Sequence, residues 1–186
     1  MRTRESIYIP LGYDVAYVKR EKFRGWGSSP VEQEYCIARK DGAEFYAWYD
    51  RDGLYADIMK VQDHIPHMAR FREPAQNHIL MEAASGQLIW HMNSAPDAAE
   101  VERQLSEFAA SAGGNEFAHQ DIRPWNVFID EHSYITVIDW GNSRRGKSSV
   151  DAEDVAKFSK LLRGEITFQV AWGWNPHWYP EWCKHD

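Results

Sequence analysis

The stretch that most constrains this chain runs from His119 to Gly141, HQDIRPWNVFIDEHSYITVIDWG. Val127-Phe128-Ile129 and Tyr134-Ile135-Thr136-Val137-Ile138 are short apolar runs on either side of Asp130-Glu131-His132-Ser133. Apolar, β-rich runs around a polar turn predict a two-stranded hairpin. The segment before it, Asn115 to Val127, is mostly polar and reads as a loop. Asn126 stands at the entrance of the hairpin, Asp139 closes its second strand, and Asp121 stands forward in the loop. The two ends of an antiparallel pair approach each other, so Asn126 and Asp139 are expected close together. A magnesium-bound polyphosphate needs hard oxygen donors at a fixed separation and a further group to orient an attacking hydroxyl, and these three residues suit that chemistry.

Around this stretch the chain reads as two unequal lobes. SIYIPLGYDVAYVKREKF predicts two short strands around Pro10-Leu11-Gly12-Tyr13-Asp14. Ser29-Pro30-Val31-Glu32 resembles a capped helix opening, which predicts a helix over 31–40 ending at Asp41-Gly42. EFYAWYDRDGLYADIMKV predicts a hairpin closed by Asp52-Gly53, a pair suited to positive φ. Residues 7 to about 62 then form a small antiparallel sheet carrying one helix. Residues 63–112 mix helix formers with Pro66 and Pro74 and are expected to be irregular and helical. Val101, Leu105 and Phe108 recur at helical spacing between Asp97 and Gly113-Gly114, and Val155, Phe158 and Leu162 do so in a final helix over 151–162.

Four of the nine tryptophans, Trp172, Trp174, Trp178 and Trp182, crowd the last fifteen residues. They are expected to close a small lobe with large amphipathic rings. Stacking on a base or on a partner's aromatic group, and a membrane anchor, are the alternatives. The tail lacks the basic amphipathic face that an anchor would use.

A length of 186 residues supports one core, or one domain of two unequal lobes. The net charge of −7 disfavours a mainly electrostatic nucleic-acid binder, leaving the local cluster Arg144, Arg145 and Lys147 as a basic patch to weigh. Cys36 and Cys183 have no paired spacing, which argues against a disulfide scaffold or a cysteine zinc site and fits a reducing, cytoplasmic setting. No secretory signal and no window of 18 apolar residues is visible, so no membrane association is expected.

HQDIRPWN resembles the HxDxKPxN catalytic loop of the protein kinase-like superfamily, which includes small-molecule and atypical kinases, and VIDWG resembles its metal-binding DFG strand in the DWG form. The matching residues are His119, Asp121, Pro124, Asn126, Asp139 and Gly141, with Arg123 in place of the loop lysine. The thirteen positions from Asn126 to Asp139 are the spacing expected of that superfamily. The resemblance implies an α+β, two-lobed kinase-like fold: a single domain over 1–186, a small antiparallel N-lobe over 1–62, and a truncated helical C-lobe over 63–186. It implies that Asp121 accepts the proton of a substrate hydroxyl, that Asn126 and Asp139 hold Mg2+ on ATP, and that Arg123 offsets charge on the transferring phosphoryl group. His119 would brace the loop, and a buried aspartate, Asp154 in preference to Asp151, would hold its backbone.

The resemblance also implies a lysine on a small-lobe strand and a helix glutamate to hold it. Lys19 with Glu34 or Glu32 is preferred over Lys60 with a helix containing Glu73. Departures are plain. There is no GxGxxG loop, Gly12 alone stands at the right distance before Lys19, and Gln120 replaces the arginine of many phosphorylation-activated kinases. Only fourteen residues lie between Asp139 and Asp154, too few for a long regulated segment. The expected function is ATP- and Mg2+-dependent phosphoryl transfer to a hydroxyl of a protein or small molecule. A pseudokinase or protein-binding module is the alternative, and the Trp-rich C-terminus is a candidate partner surface.

Overall fold

Residues 31–40, VEQEYCIARK, contain Val31, Tyr35 and Ile37, which favour an extended chain, and in the computed structural model they form a central strand rather than the expected helix. The structure describes residues 4–22, 31–50, 52–75, 77–173 and 180–183. They divide into two compact units, one made of described residues within 4–22, 31–63 and 69–83, the other within 64–68 and 84–183.

The first unit opens with a one-turn helix α1 (Glu5–Tyr8) where a strand was expected, followed by a tight turn that ends at Gly12. Then come β1 (Asp14–Lys22), β2 (Val31–Lys40), β3 (Ala43–Tyr49), α2 (Leu54–Val61), β4 (Phe71–Ala75) and β5 (His78–Glu82). The strands make one antiparallel sheet in the order β1-β2-β3-β5-β4. The sequence contains two Asp-Gly pairs, and their roles are the reverse of those expected. Asp41 and Gly42 have φ of 53 and 81 and close the β2–β3 hairpin between Lys40 and Ala43. Gly53, at φ 67, instead begins α2, whose Ala56 N–H donates to the buried Asp50 carboxylate. A helix cap contributes about 1 kcal/mol. As the expected helix, residues 31–40 would forgo ladders with both neighbours, which outweighs their cap-like opening.

Residues 63–83 supply two strands that their prolines had argued against, so the first unit extends past residue 62. Pro74 is tolerated because β4 is an edge strand whose register shifts between Arg72 and Ala75. Gln62 holds the start of that strand with a two-way amide contact, accepting from Phe71 N–H and donating to Phe71 C=O. Tyr8, Cys36, Ala38, Phe45, Ala47 and Leu80 form a core cluster of this unit. Burial pushes the Tyr8 phenol up to about 12.

The second unit is predominantly helical: β6 (Gln87–Leu88), α3 (Ala98–Gly114), β7 (Phe117–Ala118), β8 (Val127–Ile129), β9 (Ile135–Val137), β10 (Arg144–Arg145), α4 (Val150–Leu162) and α5 (Phe168–Trp172). Asp97 caps α3 by accepting from Ala99 and Glu100 N–H. The expected apolar faces are buried: Val101, Leu105 and Phe108 on α3, and Val155, Phe158 and Leu162 on α4. Trp172 and Trp182 pack around Trp90, Leu161, Phe168 and Cys183, as lobe-closing rings should. Trp174 and Trp178 lie outside the described residues. Cys36 and Cys183 are buried and not joined in a disulfide, and burial pushes the Cys183 thiol up to about 12. Among the described residues no helix is long and apolar enough to cross a membrane. The fold class is α+β, with an antiparallel sheet in one unit and helices dominating the other, as in kinase-like proteins.

Candidate active site

The expected hairpin forms from β8 and β9, with Val127 opposite Val137 and Ile129 opposite Ile135. Ile138 N–H donates to Asn126 C=O at 2.9 Å, which extends the ladder one step and leaves Asp139 just beyond Asn126. The far end of the hairpin is pinned by Gln104 of α3. Its amide donates to Ser133 C=O at 2.7 Å and accepts from Ile135 N–H at 2.9 Å, in a buried setting. On its other edge β9 meets residues 67–68, with Val137 N–H donating to His67 C=O. The hairpin is thus held along its length, and so are the residues at its mouth.

Asp121 is the focus of the polar groups. Arg123 Nε lies 2.6 Å from its Oδ1, while Asn126 Nδ2 and Asn142 Nδ2 each donate to Oδ2 at 3.1 Å. The Asp121 side chain is only 13% exposed, so these partners, rather than bulk water, set its orientation. Asn142 belongs to neither sequence motif. Its only signal was its place one residue after the matched Gly141, in the turn Trp140–Asn142. Asp139 is exposed, has φ 61, and accepts from Gly141 N–H. A Cβ at position 141 would lie 3.0 Å from Asp139 Oδ1, so glycine there keeps that carboxylate in place.

His119 ties the loop to the end of β9. Its Nδ1 accepts from Asp121 N–H at 3.3 Å, and its Nε2 donates to Ile138 C=O at 3.0 Å. The ring is fully buried against Trp140 and Phe108, and burial holds its pKa below the ordinary value, keeping it neutral. The main backbone brace is Asp151 rather than Asp154. Its two carboxylate oxygens accept from His119 N–H at 2.8 Å and Gln120 N–H at 2.6 Å. Gln120 needs that support because its φ is 64. Asp154, one turn further along α4, accepts from Ile122 backbone, and burial raises its pKa against the opposing charge of Arg123. Helical spacing puts both carboxylates on the face of α4 that meets the loop, so the sequence alone left the choice open.

The residues expected to hold ATP from the first unit are placed otherwise than foreseen. Lys19 lies on β1 and Glu34 directly across from it on β2, so Glu34 is a strand residue and not a helix residue. Glu32 faces Glu21 in the same ladder. Lys60 is on α2, where it pairs with Asp57, and Glu73 is on β4, so that alternative pair loses both its strand lysine and its helix glutamate. Gly12 precedes β1 instead of joining two strands. The β1–β2 connection, residues 23–30, carries Gly25 and Gly27 and lies outside the described residues.

A magnesium ion held partly by nucleotide phosphates uses one or two protein oxygens, not a closed cage. Asn126 and Asp139 fit that demand: Nδ2 of Asn126 is taken by Asp121, leaving Oδ1 for a cation, and the Asp139 carboxylate is exposed. Among the described residues no cluster of three or more His, Cys, Asp or Glu forms a metal site.

The chain is similar to mouse Sperm motility kinase Z, with 28% identity over 111 residues that span 55% of this chain and 22% of that protein, about a fifth of its length. It is also similar to the crystal structure of WbdD, with a TM-score of 0.48 and 19% identity over 69% of this chain and 35% of that one. Residues 56–174, more than half of the chain, match the model of the phosphotransferase enzyme family, and the chain belongs to that kinase-like family.

Proposed function

We propose that this chain, acting as one kinase-like domain over residues 1–186, transfers the γ-phosphoryl group of ATP to a hydroxyl, with Mg2+ as cofactor. The observation that carries this is the Asp121 carboxylate, held by Arg123, Asn126 and Asn142 beside the exposed Asp139. Bound Mg2+ would supply charge neutralisation on the phosphates. Asp121 orients the acceptor hydroxyl and takes its proton at a carboxylate oxygen. Arg123 carries positive charge close to that oxygen, where negative charge on the phosphoryl group is offset. Asn126 and Asp139 bind the cation through their side-chain oxygens. Lys19, with Glu34 across the β1–β2 ladder, is the candidate phosphate contact of the first unit. The acceptor is a protein Ser or Thr or a small-molecule hydroxyl, and the setting is cytoplasmic.

The test is incubation of the purified chain with labelled ATP and Mg2+, with host lysate and with a panel of hydroxyl compounds. Asp121→Asn is expected to keep nucleotide binding and lose transfer by ~10²-fold or more, the scale of a lost general base. Asp139→Asn is expected to weaken Mg-ATP binding in calorimetry. If both variants match the wild-type chain in binding and in transfer, the proposal fails. One observation favours a second reading, a nucleotide-binding or protein-binding module without transfer: α2 carries no glutamate, and Glu34 sits on a strand. Mg-ATP binding with no labelled acceptor in any mixture would select it.

A further inference from the structure

We infer that Trp172 of α5 is a positioning residue for Arg123, holding the guanidinium against Asp121. The inference rests on the phosphotransfer reading of Asp121 for its consequence, but its geometry stands independently. The Arg123 guanidinium carbon lies 5.5 Å from the ring centre of Trp125 and 6.0 Å from that of Trp172, within range of both π faces. The two indoles are neighbours, 6.4 Å apart at 51°. Arg123 Nε is 2.6 Å from Asp121 Oδ1, yet this buried Nε–H has no acceptor in line with it. The ion pair is therefore fixed by where the guanidinium is held and not by an aligned hydrogen bond. A planar guanidinium stacks on aromatic faces, so the two indoles can supply that constraint.

Trp172 is itself well anchored. Thr167 Oγ1 accepts from Val170 N–H to cap α5, and the helix ends at Gly173, whose φ of 76 turns the chain away directly after the ring. Phe168, fully buried, lies 4.7 Å from Trp172 and 5.4 Å from Trp125, and touches Trp90 at 5.3 Å. Asp151 fixes the loop backbone just before Arg123. Arg123 is thus gripped between a braced loop and a helix some fifty positions later in the chain. Trp125 comes from the loop itself and moves with Arg123, whereas Trp172 comes from elsewhere and supplies the external reference.

The test uses four variants of the full chain: Trp172→Leu, Trp172→Tyr, Arg123→Gln, and Trp172→Leu combined with Arg123→Gln. Trp172→Leu should lower kcat about tenfold, the scale of one desolvated cation–π contact, with KM for ATP changed less than twofold. Trp172→Tyr, which restores an aromatic face, should recover at least half of the wild-type kcat. In the Arg123→Gln background, Trp172→Leu should cost less than a further twofold, because its effect travels through the missing group. Independently of turnover, the Arg123 Nε–H resonance, assigned by its loss in Arg123→Gln, should shift in Trp172→Leu and stay put in Trp182→Leu, a packing control from the same cluster. Multiplying effects in the double variant, or an unmoved Nε–H signal, would overturn the inference. A wild-type chain without turnover would instead reject the phosphotransfer reading, and the Nε–H signal would still decide the clamp.

Discussion

Removing the Asp151 carboxylate should strongly destabilise the second unit. Its oxygens receive the N–H groups of His119 and Gln120 at 2.8 and 2.6 Å, and both Asp151 and His119 are buried. A hydrogen bond to a charged acceptor contributes about 1.5–3 kcal/mol, and a buried donor left unpaired costs about 1–3 kcal/mol. Gln120 is only partly buried and can recover water, so Asp151→Ala should cost about 3 kcal/mol. With a urea m-value of about 2 kcal/mol/M, that is a drop of about 1.5 M in the unfolding midpoint. Asp151→Asn keeps one acceptor and turns an NH2 toward the other donor, so it should lose about 2 kcal/mol, despite its equal size. Released from the carboxylate, the φ of 64 at Gln120 is no longer enforced, and amide hydrogen exchange at 119 and 120 should speed up by ~10²-fold. Midpoints within about 0.3 M of wild type for both variants would refute the claim that these two bonds carry the loop.

Two further outcomes follow from burial. His119 is kept neutral in the folded chain, with its pKa pushed below 6.5 by burial, as those of His78 and His91 are. The unfolded chain gains a proton as pH falls through about 6.5 and the folded chain only at lower pH, so this stability is present above about 6.5 and is lost on acidification. Urea midpoints should fall from pH 7 to pH 5, with a shallower slope in His119→Gln. Gly86 has φ 85, and a Cβ there would sit 2.1 Å from Ile129 O and 2.7 Å from Asp130 Cα, backbone atoms that cannot move aside cheaply. Gly86→Ala should therefore destabilise by more than about 2 kcal/mol in thermal unfolding.

The hairpin and loop of the candidate site were legible in the sequence because their spacing is local. The hairpin, the loop before it and the two helices behind it are each specified by residues within a few turns of one another, and Val127, Ile129, Ile135 and Val137 are all buried as their alternation demands. The first unit was harder because its order depends on pairings between distant segments. Ser29-Pro30-Val31-Glu32 has the composition of a helix opening, yet residues 31–40 are claimed by β1 on one side and β3 on the other. Nothing local distinguishes Asp41-Gly42 from Asp52-Gly53; the partner strand does. Asn142 escaped, and Asp151 was ranked behind Asp154, for a related reason. One reaches Asp121 across twenty-one positions of sequence and the other reaches the loop across thirty-two, so neither spacing forms a short motif.

The construction of the β8–β9 hairpin decides where this chain can change length. Asn126 and Asp139 sit at the open end, while the closed end is a turn in which the Asp130 carboxylate accepts from His132 and Tyr134 N–H. Residues added between Glu131 and His132, both exposed, would loop outward and leave the Val127–Val137 pairing as it is. One residue added inside either strand would turn every following side chain to the opposite face and carry Asn126 or Asp139 away from its neighbour. Natural or engineered insertions are therefore confined to a window of a few residues at the turn, and a peptide tag placed there would report on the hairpin without entering the site.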